Sequence, residues 1–420
     1  SNLDYNSTYY FGLRAFDGQN YSSLSNIVSF KTATLATIAT GFPSNLTIAN
    51  NGRKIVRDSN GNLYTVYYRG NSNNKIFLAK SEDNGLNWSE IAVTPEEESD
   101  QINPSIAIDS QNNLHIVWQG KVGTSTVYQI RYLKYDGNKF SPIENITDKE
   151  WNQEIPVIAI DSQDNVHLAW VNNLMVSESW RPQILHKVFT TQWQPEELTG
   201  NSIDVLIDGL NLTIDSQDNL HLVWQGYRQS APHDVIQYRK RRDGQWQATE
   251  QLDYDDNQAD FPSLVIDSQD NLHIVWHSIE IGEGGKRRSK INYLKYTPPT
   301  SQDVFFKHPS IEVLDYDDGW GQQVIASPSI SINSQNNLSV IWKRWNKDKI
   351  FLREYIETWE EIKTLNSLVN QQHHSFNNLL WSFYPLIEGK KTNQPKTGYA
   401  FIFYQGRELK FYASQDLTWQ

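Results

Sequence analysis

Three carboxylates recur at one position of a repeated phrase, and they are the first groups in this sequence that could do chemistry. Glu154, Asp208 and Asp260 each stand seven residues before an aspartate that opens the phrase, at Asp161, Asp215 and Asp267. Acidic groups brought to one place repel, which raises their pKa values, or they share a cation. Oxygen donors in a chain with no cysteine suit Ca2+ better than zinc, and Asp253, Asp255 and Asp260 form the candidate metal set. No other cofactor is called for. Held apart, two such carboxylates serve as acid and base of an inverting glycosidase. The plainer reading is a solubilising rim.

Arg69, Tyr227, Arg228, His277, Arg344 and Trp345 join Glu154, Asp208 and Asp260 as candidate ligand contacts. Aromatic side chains beside charged loops suit sugar stacking combined with hydrogen bonds. No motif assigns a catalytic residue. His115, His167, His221 and His273 share one register, and four equivalent positions argue for a repeated local hydrogen bond between neighbouring sheets, not for one convergent site. Gly282-Glu-Gly284-Gly285-Lys286 lacks the Ser or Thr and the helix of a phosphate loop, and His373-His374 has no third ligand in view.

The elements that would position these groups come from repetition. The phrase Asp109-Ser-Gln-Asn-Asn-Leu-His115-Ile-Val-Trp118 returns from Asp161, Asp215 and Asp267, in degraded form from Asp58, and as Asn333-Ser-Gln-Asn-Asn-Leu. A period near fifty, filled with short alternating runs and Asp/Asn/Gly turns, predicts four-stranded blades of an all-β propeller. Seven blades are expected, with six allowed. In each repeat Pro104–Ile108 types strand A, Leu114–Trp118 strand B, and Gln129–Tyr135 strand C. The A–B turns are short and repetitive, whereas the D–A and B–C connections vary, so any site is expected on the latter face. Acidic D–A loops (Glu96 to Asp100, Asp253 to Asp260, Asp315 to Asp318) and B–C loops carrying Trp180-Arg181 lie there.

Composition narrows the functional classes. Among 420 residues, 49 acidic against 37 basic side chains give a net charge of −12, which disfavours nucleic acid and acidic membranes as partners. No apolar run is long enough to span a membrane. Fifteen Trp, 21 Tyr and 16 Phe supply the core that a chain with only 38% apolar residues needs.

Ser81-Glu-Asp83-Asn-Gly85-Leu-Asn-Trp88 resembles the Asp-box, the Ser-x-Asp-x-Gly-x-x-Trp turn of sialidase-like (BNR-repeat) propellers, and with the repeats the likeness covers about residues 45 to 420. It implies a structural role for Ser81, Asp83, Gly85 and Trp88, away from the active site. The arginine phrase of sialidases is displaced here to Asn51-Gly-Arg53-Lys-Ile, and the carboxylate register falls where those enzymes hold an arginine. Residues 3 to 32 resemble the last two strands of a fibronectin type III domain, with Leu3 and Tyr9 matching its tyrosine corner. The expected organisation is therefore 1–34 fibronectin-like strands, 35–44 linker and 45–420 propeller, closed by Leu46–Ile48 pairing with 408–413. The function expected is an extracellular or cell-surface carbohydrate-binding or adhesive module, monomeric, facing a glycan or a surface protein. A glycan-active enzyme, a glycoside hydrolase of sialidase type or another, is the alternative. A protein-interaction scaffold is the third reading.

Overall fold

The computed structural model describes residues 6–11, 14, 19, 21–22, 28–31, 34–40 and 52, and then 54–364 apart from 71–72, 177–178, 201–203, 229–232, 254–257, 282–286, 299–309, 318–324 and 345–348. Beyond 364 it describes 381–382, 395–397, 400–405, 408–413 and 418–419. All regular structure in these residues is β.

The phrase Asp-Ser-Gln-x-Asn makes a self-satisfied turn. Asp109 Oδ1 accepts the backbone N–H groups of Gln111 at 3.0 Å and Asn113 at 2.8 Å, while Oδ2 accepts the Asn113 amide at 2.7 Å. The fourth residue takes a left-handed backbone: Asn112, Asp164, Asp218, Asp270 and Asn336 have φ between 63 and 66°. Asn and Asp tolerate that region, which explains their place there. Their side chains then reach the preceding turn. Asp164 accepts Ser110 N–H at 2.9 Å and its hydroxyl at 2.5 Å, and Asp218 does the same for Ser162. Asp270 accepts from Ser216, and Asn112 and Asn336 exchange bonds with Ser59 and Ser268.

The repeated histidine closes the same turn within its own sheet, not between sheets as expected. His115 meets Asp109 at 3.1 Å through Nε2 and the Tyr132 hydroxyl at 2.7 Å through Nδ1. His221 and His273 repeat this with Asp215/Tyr238 and Asp267/Tyr293. A neutral imidazole donating from Nε2 and accepting at Nδ1 satisfies every partner. In the third repeat His186 replaces the tyrosine, and burial pushes its pKa down to about 4.

Each repeat folds into one antiparallel sheet. Six sheets have four strands; they begin at Ile55, Gln101, Gln153, Gln258, Ile325 and Trp381. A further sheet over 204–251 follows the same path and adds a fifth strand, Glu250–Gln251, on Asp234–Arg242. Innermost strands of successive sheets touch, which arranges them as a β-propeller. The core lies between sheets: Trp118, Trp170, Trp224, Trp276 and Trp342 are wholly buried there, and apolar clusters join each sheet to the next from the first through the sixth. Trp118 and Trp170 donate their indole N–H to Gln101 and Gln153 at 2.6 and 2.8 Å, so the buried donors are paired.

The last sheet is closed by chain from the other end. Thr34–Thr40 pairs with Glu408–Ala413 along Thr34↔Ala413 to Thr40↔Glu408. The partner strand is the one expected, but the closing strand lies in the stretch read as linker, about ten residues before Leu46–Ile48, which fall outside the described residues. Seven alternating residues rich in Thr and Ala suit an edge position better than the Asn- and Pro-containing stretch after it. Thr8–Phe11 and Val28–Lys31 form a two-stranded hairpin, as the alternation predicts. Leu3 and the Tyr9 side chain, on which the likeness to a fibronectin domain rests, lie outside the described residues.

Candidate functional site

Strand A starts with a β-bulge in five sheets, between Ile102 and Ser105, Glu154 and Val157, Asp208 and Asn211, Asp260 and Ser263, and Ala326 and Ser329. In four of the five the residue after the first of the pair is left-handed: Asn103, Ile155, Gly209 and Phe261, all with φ of 53 to 57°. Glycine takes this backbone freely. A β-branched Ile and a Phe do not, and strain of that kind, about 1–3 kcal/mol each, concentrates at sites. The bulge re-aims the residue before it. In three consecutive sheets that residue is Glu154, Asp208 or Asp260, so the register found in sequence corresponds to a repeated backbone device. It lies at the end of strand A opposite the Asp-Ser turn.

The three carboxylates feel one another. Burial raises the pKa of Glu154, Asn173 donates to its Oε2 at 2.5 Å, and the charge of Asp208 raises it further. Asp208 is raised by burial and by Asp260, against one backbone bond from Gly209 at 2.7 Å. Asp234 completes the row. Burial, together with Asp260, with which it shares a hydrogen bond, pushes its carboxyl up to about 6. The Gln225 amide bridges the two, donating to Asp234 Oδ2 and Asp260 Oδ1 at 3.0 Å each, while its oxygen accepts Phe261 N–H at 3.2 Å. Opposite Asp260 in register stands His277. It is 1% exposed, its Nδ1 lies 3.7 Å from Asp260 Oδ2, and neither ring nitrogen has a hydrogen-bond partner among the described residues. A buried polar group left unpaired costs about 1–3 kcal/mol and calls for an explanation. Next to the Asp234–Asp260 pair, this imidazole offers one donor and one acceptor not engaged in hydrogen bonds among the described residues.

Other sequence candidates are placed elsewhere. Arg69 makes a two-pronged ion pair with Glu90 at 2.7 and 2.8 Å, stacks over Phe77 at 4.3 Å, and donates to Thr40 O at 3.1 Å. It therefore ties the closing strand to the first sheet. Tyr227 is half-buried, directly across from Asp234. Arg228 and Arg344 lie on strands, but their side chains, and all of Trp345 and Asp255, fall outside the described residues. Of the candidate metal set, Asp253 Oδ1 accepts Ile236 N–H at 2.8 Å and Asp260 is engaged by Gln225, while Asp255 lies outside the described residues.

The Ser81–Trp88 segment is a turn between Lys75–Ser81 and Ser89–Ala92. Ser81 Oγ bonds Asp83 at 2.9 Å and accepts Gly85 N–H at 2.8 Å, and Trp88 Nε1 donates to Gly85 O at 3.0 Å. Partial burial works against Asp83, yet bonds from Asn87, Ser81 and Leu86 keep its carboxyl below the usual value. The polar groups of Ser81, Asp83 and Trp88 are thus engaged within the turn.

Sequence reasoning missed Asp234 and Gln225. Gln225 directly follows Trp224 as His277 follows Trp276, so alignment on the tryptophans finds it. Asp234 opens the strand Asp234–Arg242, where the corresponding strands of other repeats start without a carboxylate, and so carries no periodic signal.

No protein-family model matches the chain, and no curated protein matches it in sequence. Solved structures share the fold. A polysaccharide lyase PL25 ulvan lyase is 10% identical with a TM-score of 0.60 over 91% of this chain and 96% of its own. A Penicillium chrysogenum α-L-arabinanase is 12% identical, TM-score 0.50, over 92% and 98%. The GH93 α-L-arabinofuranosidase of Fusarium graminearum is 13% identical, TM-score 0.50, over 76% and 94%. These neighbours are carbohydrate-active β-propellers, and the likeness does not single out sialidases. At such identities it establishes the fold alone.

Proposed function

We propose that the protein engages a neutral glycan at the mouth formed by Glu154, Asp208, Asp234, Asp260 and His277, at a cell surface or outside the cell. The observation that carries this is the buried, unpartnered His277 beside the Asp234–Asp260 pair. Sugar hydroxyls both donate and accept, so one saccharide unit offers a donor to the carboxylates and an acceptor or donor to the imidazole. An acidic mouth with raised carboxyl pKa values disfavours uronic, sulfated or sialic acid units, which would add like charge to a desolvated cluster. Carbohydrate-active neighbours in fold support the class of ligand without fixing it.

Asp234 favours a second reading. A carboxyl pushed up to about 6, next to other carboxylates, is the kind of pair that divides acid and base roles in glycoside hydrolysis. A panel of neutral and anionic oligosaccharides, tested by calorimetry and by reducing-end assay with the parent, Asp234→Asn and His277→Ala, decides between them. Binding of neutral members that both variants weaken supports the site, and turnover lost in Asp234→Asn makes it an enzyme. Preference for anionic members, or no dependence on either variant, would sink the proposal.

A further inference from the structure

The long hairpin of the third sheet carries an aromatic pair that the mouth does not use. Val166–Val176 pairs with Ser179–Phe189 along its whole length, and Met175 stands opposite Trp180. Trp180 is 49% exposed, and it meets Trp151 edge to face at 6.3 Å with an interplanar angle of 81°. Such contact fixes an indole while leaving half of its surface to solvent, the arrangement a sugar ring needs to stack upon it.

Register ties this pair to the carboxylates. Glu154 pairs with Val171, and side chains alternate along a strand, so Val171, Asn173 and Met175 share one face with Glu154 and Trp180. Asn173, midway, donates to Glu154 Oε2. Four residues separate Val171 from Met175, a rise of about 13 Å at the usual strand spacing. That distance exceeds one sugar unit.

Resting on the glycan reading above, we infer that Trp180, held by Trp151, is a stacking subsite for a remote unit of the same ligand. The ligand is then a chain of several neutral sugar units, with one unit at the mouth and another on the indole. Val176, also exposed beside it, extends the apolar surface.

The test measures Kd for 1,5-arabino-, cello- and laminari-oligosaccharides of one to six units with the parent, Trp180→Ala, Trp180→Phe and Asp234→Asn. Trp180→Ala is expected to weaken binding of the longer members about tenfold, leave mono- and disaccharides unchanged, and keep the parent Tm, with Trp180→Phe restoring most of the loss. Equal affinity of parent and Trp180→Ala at every length, or an equal loss at every length, overturns the subsite. If Asp234→Asn still abolishes binding in that case, the mouth stands without the platform. Binding that depends on Trp180 but not on Asp234 removes the reading on which the subsite rests. Absence of binding to every oligosaccharide by the parent overturns both.

Discussion

Aspartate and histidine meet at both ends of these sheets, with opposite outcomes. At the Asp-Ser turns, Asp215 lies 3.1 Å from His221, and both are fully partnered by Asn219 and Tyr238. At the mouth, Asp260 lies 3.7 Å from His277, and the ring bonds nothing among the described residues. The turn carboxylates Asp109, Asp161, Asp215 and Asp267 are desolvated, yet bonds from His and Asn hold them below the usual range. Burial raises Glu154, Asp208 and Asp234 with too few bonds to compensate. Residue type therefore does not mark a site here. What distinguishes the two ends is whether hydrogen bonding repays desolvation.

The sharpest way to break this contrast is Asp215→Ala. It strands His221 and Asn219 in the interior, so we expect a loss of about 3–5 kcal/mol in denaturant unfolding with glycan affinity kept. Unchanged stability would mean that the turn is not what the hydrogen bonds indicate. Asp234→Asn should do the reverse, weakening glycan binding at least about tenfold while stability at pH 7 stays level or rises, because a desolvated charge is removed. Loss of both together would erase the distinction.

The two ends also predict opposite responses to pH. The turn aspartates have folded pKa values below 3.8, so their stabilisation is complete above that value and disappears as pH falls through the folded values. His186, lowered from 6.5 to about 4, removes stability in the same direction between those values. Asp234, raised from 3.8 to about 6, acts oppositely: its contribution is present below 3.8 and lost as pH rises to about 6. Thermal melts from pH 3 to 8 should therefore show a steep acid limb. The stability difference between parent and Asp234→Asn should change only as pH crosses the window from 3.8 to about 6 and stay constant above it, and a difference that changes only below 3.8 would contradict the assignment. The smallest effect belongs to Ser162→Ala, which removes one hydroxyl bond to Asp218 and should cost about 1 kcal/mol without touching binding.

The repeated end was legible in sequence because it is made of local, periodic contacts. Asp109, Asn113 and His115 lie within seven residues of one another, so period and turn chemistry reveal them together. The mouth was legible only in part. Counting back from the turn found Glu154, Asp208 and Asp260, since bulge and turn are tied by a strand of constant length. Asp234 and the strained Phe261 depend on contacts between sheets that no spacing encodes. The contacts of Arg69 were hidden for the complementary reason: Glu90 and Thr40, which it bonds, come from other strands. The closing strand was displaced because several short polar stretches before Ile55 could pair equally well by pattern.

The bonds between successive turns have a direction. Each runs from the fourth residue of one turn back to the serine of the turn before, from Asn112 to Ser59 and on to Asn336 and Ser268. At the corresponding place in the first turn stands Gly61, with no side chain to offer. Each repeat from the second to the sixth thus carries a socket and a plug, and the series begins with a socket alone. A unit of this kind can be copied in tandem and find both neighbours ready for it, so gain or loss of an internal repeat leaves no joint unmatched. At the level of these turn-to-turn bonds the series is therefore modular, and the Gly61 end marks where it starts.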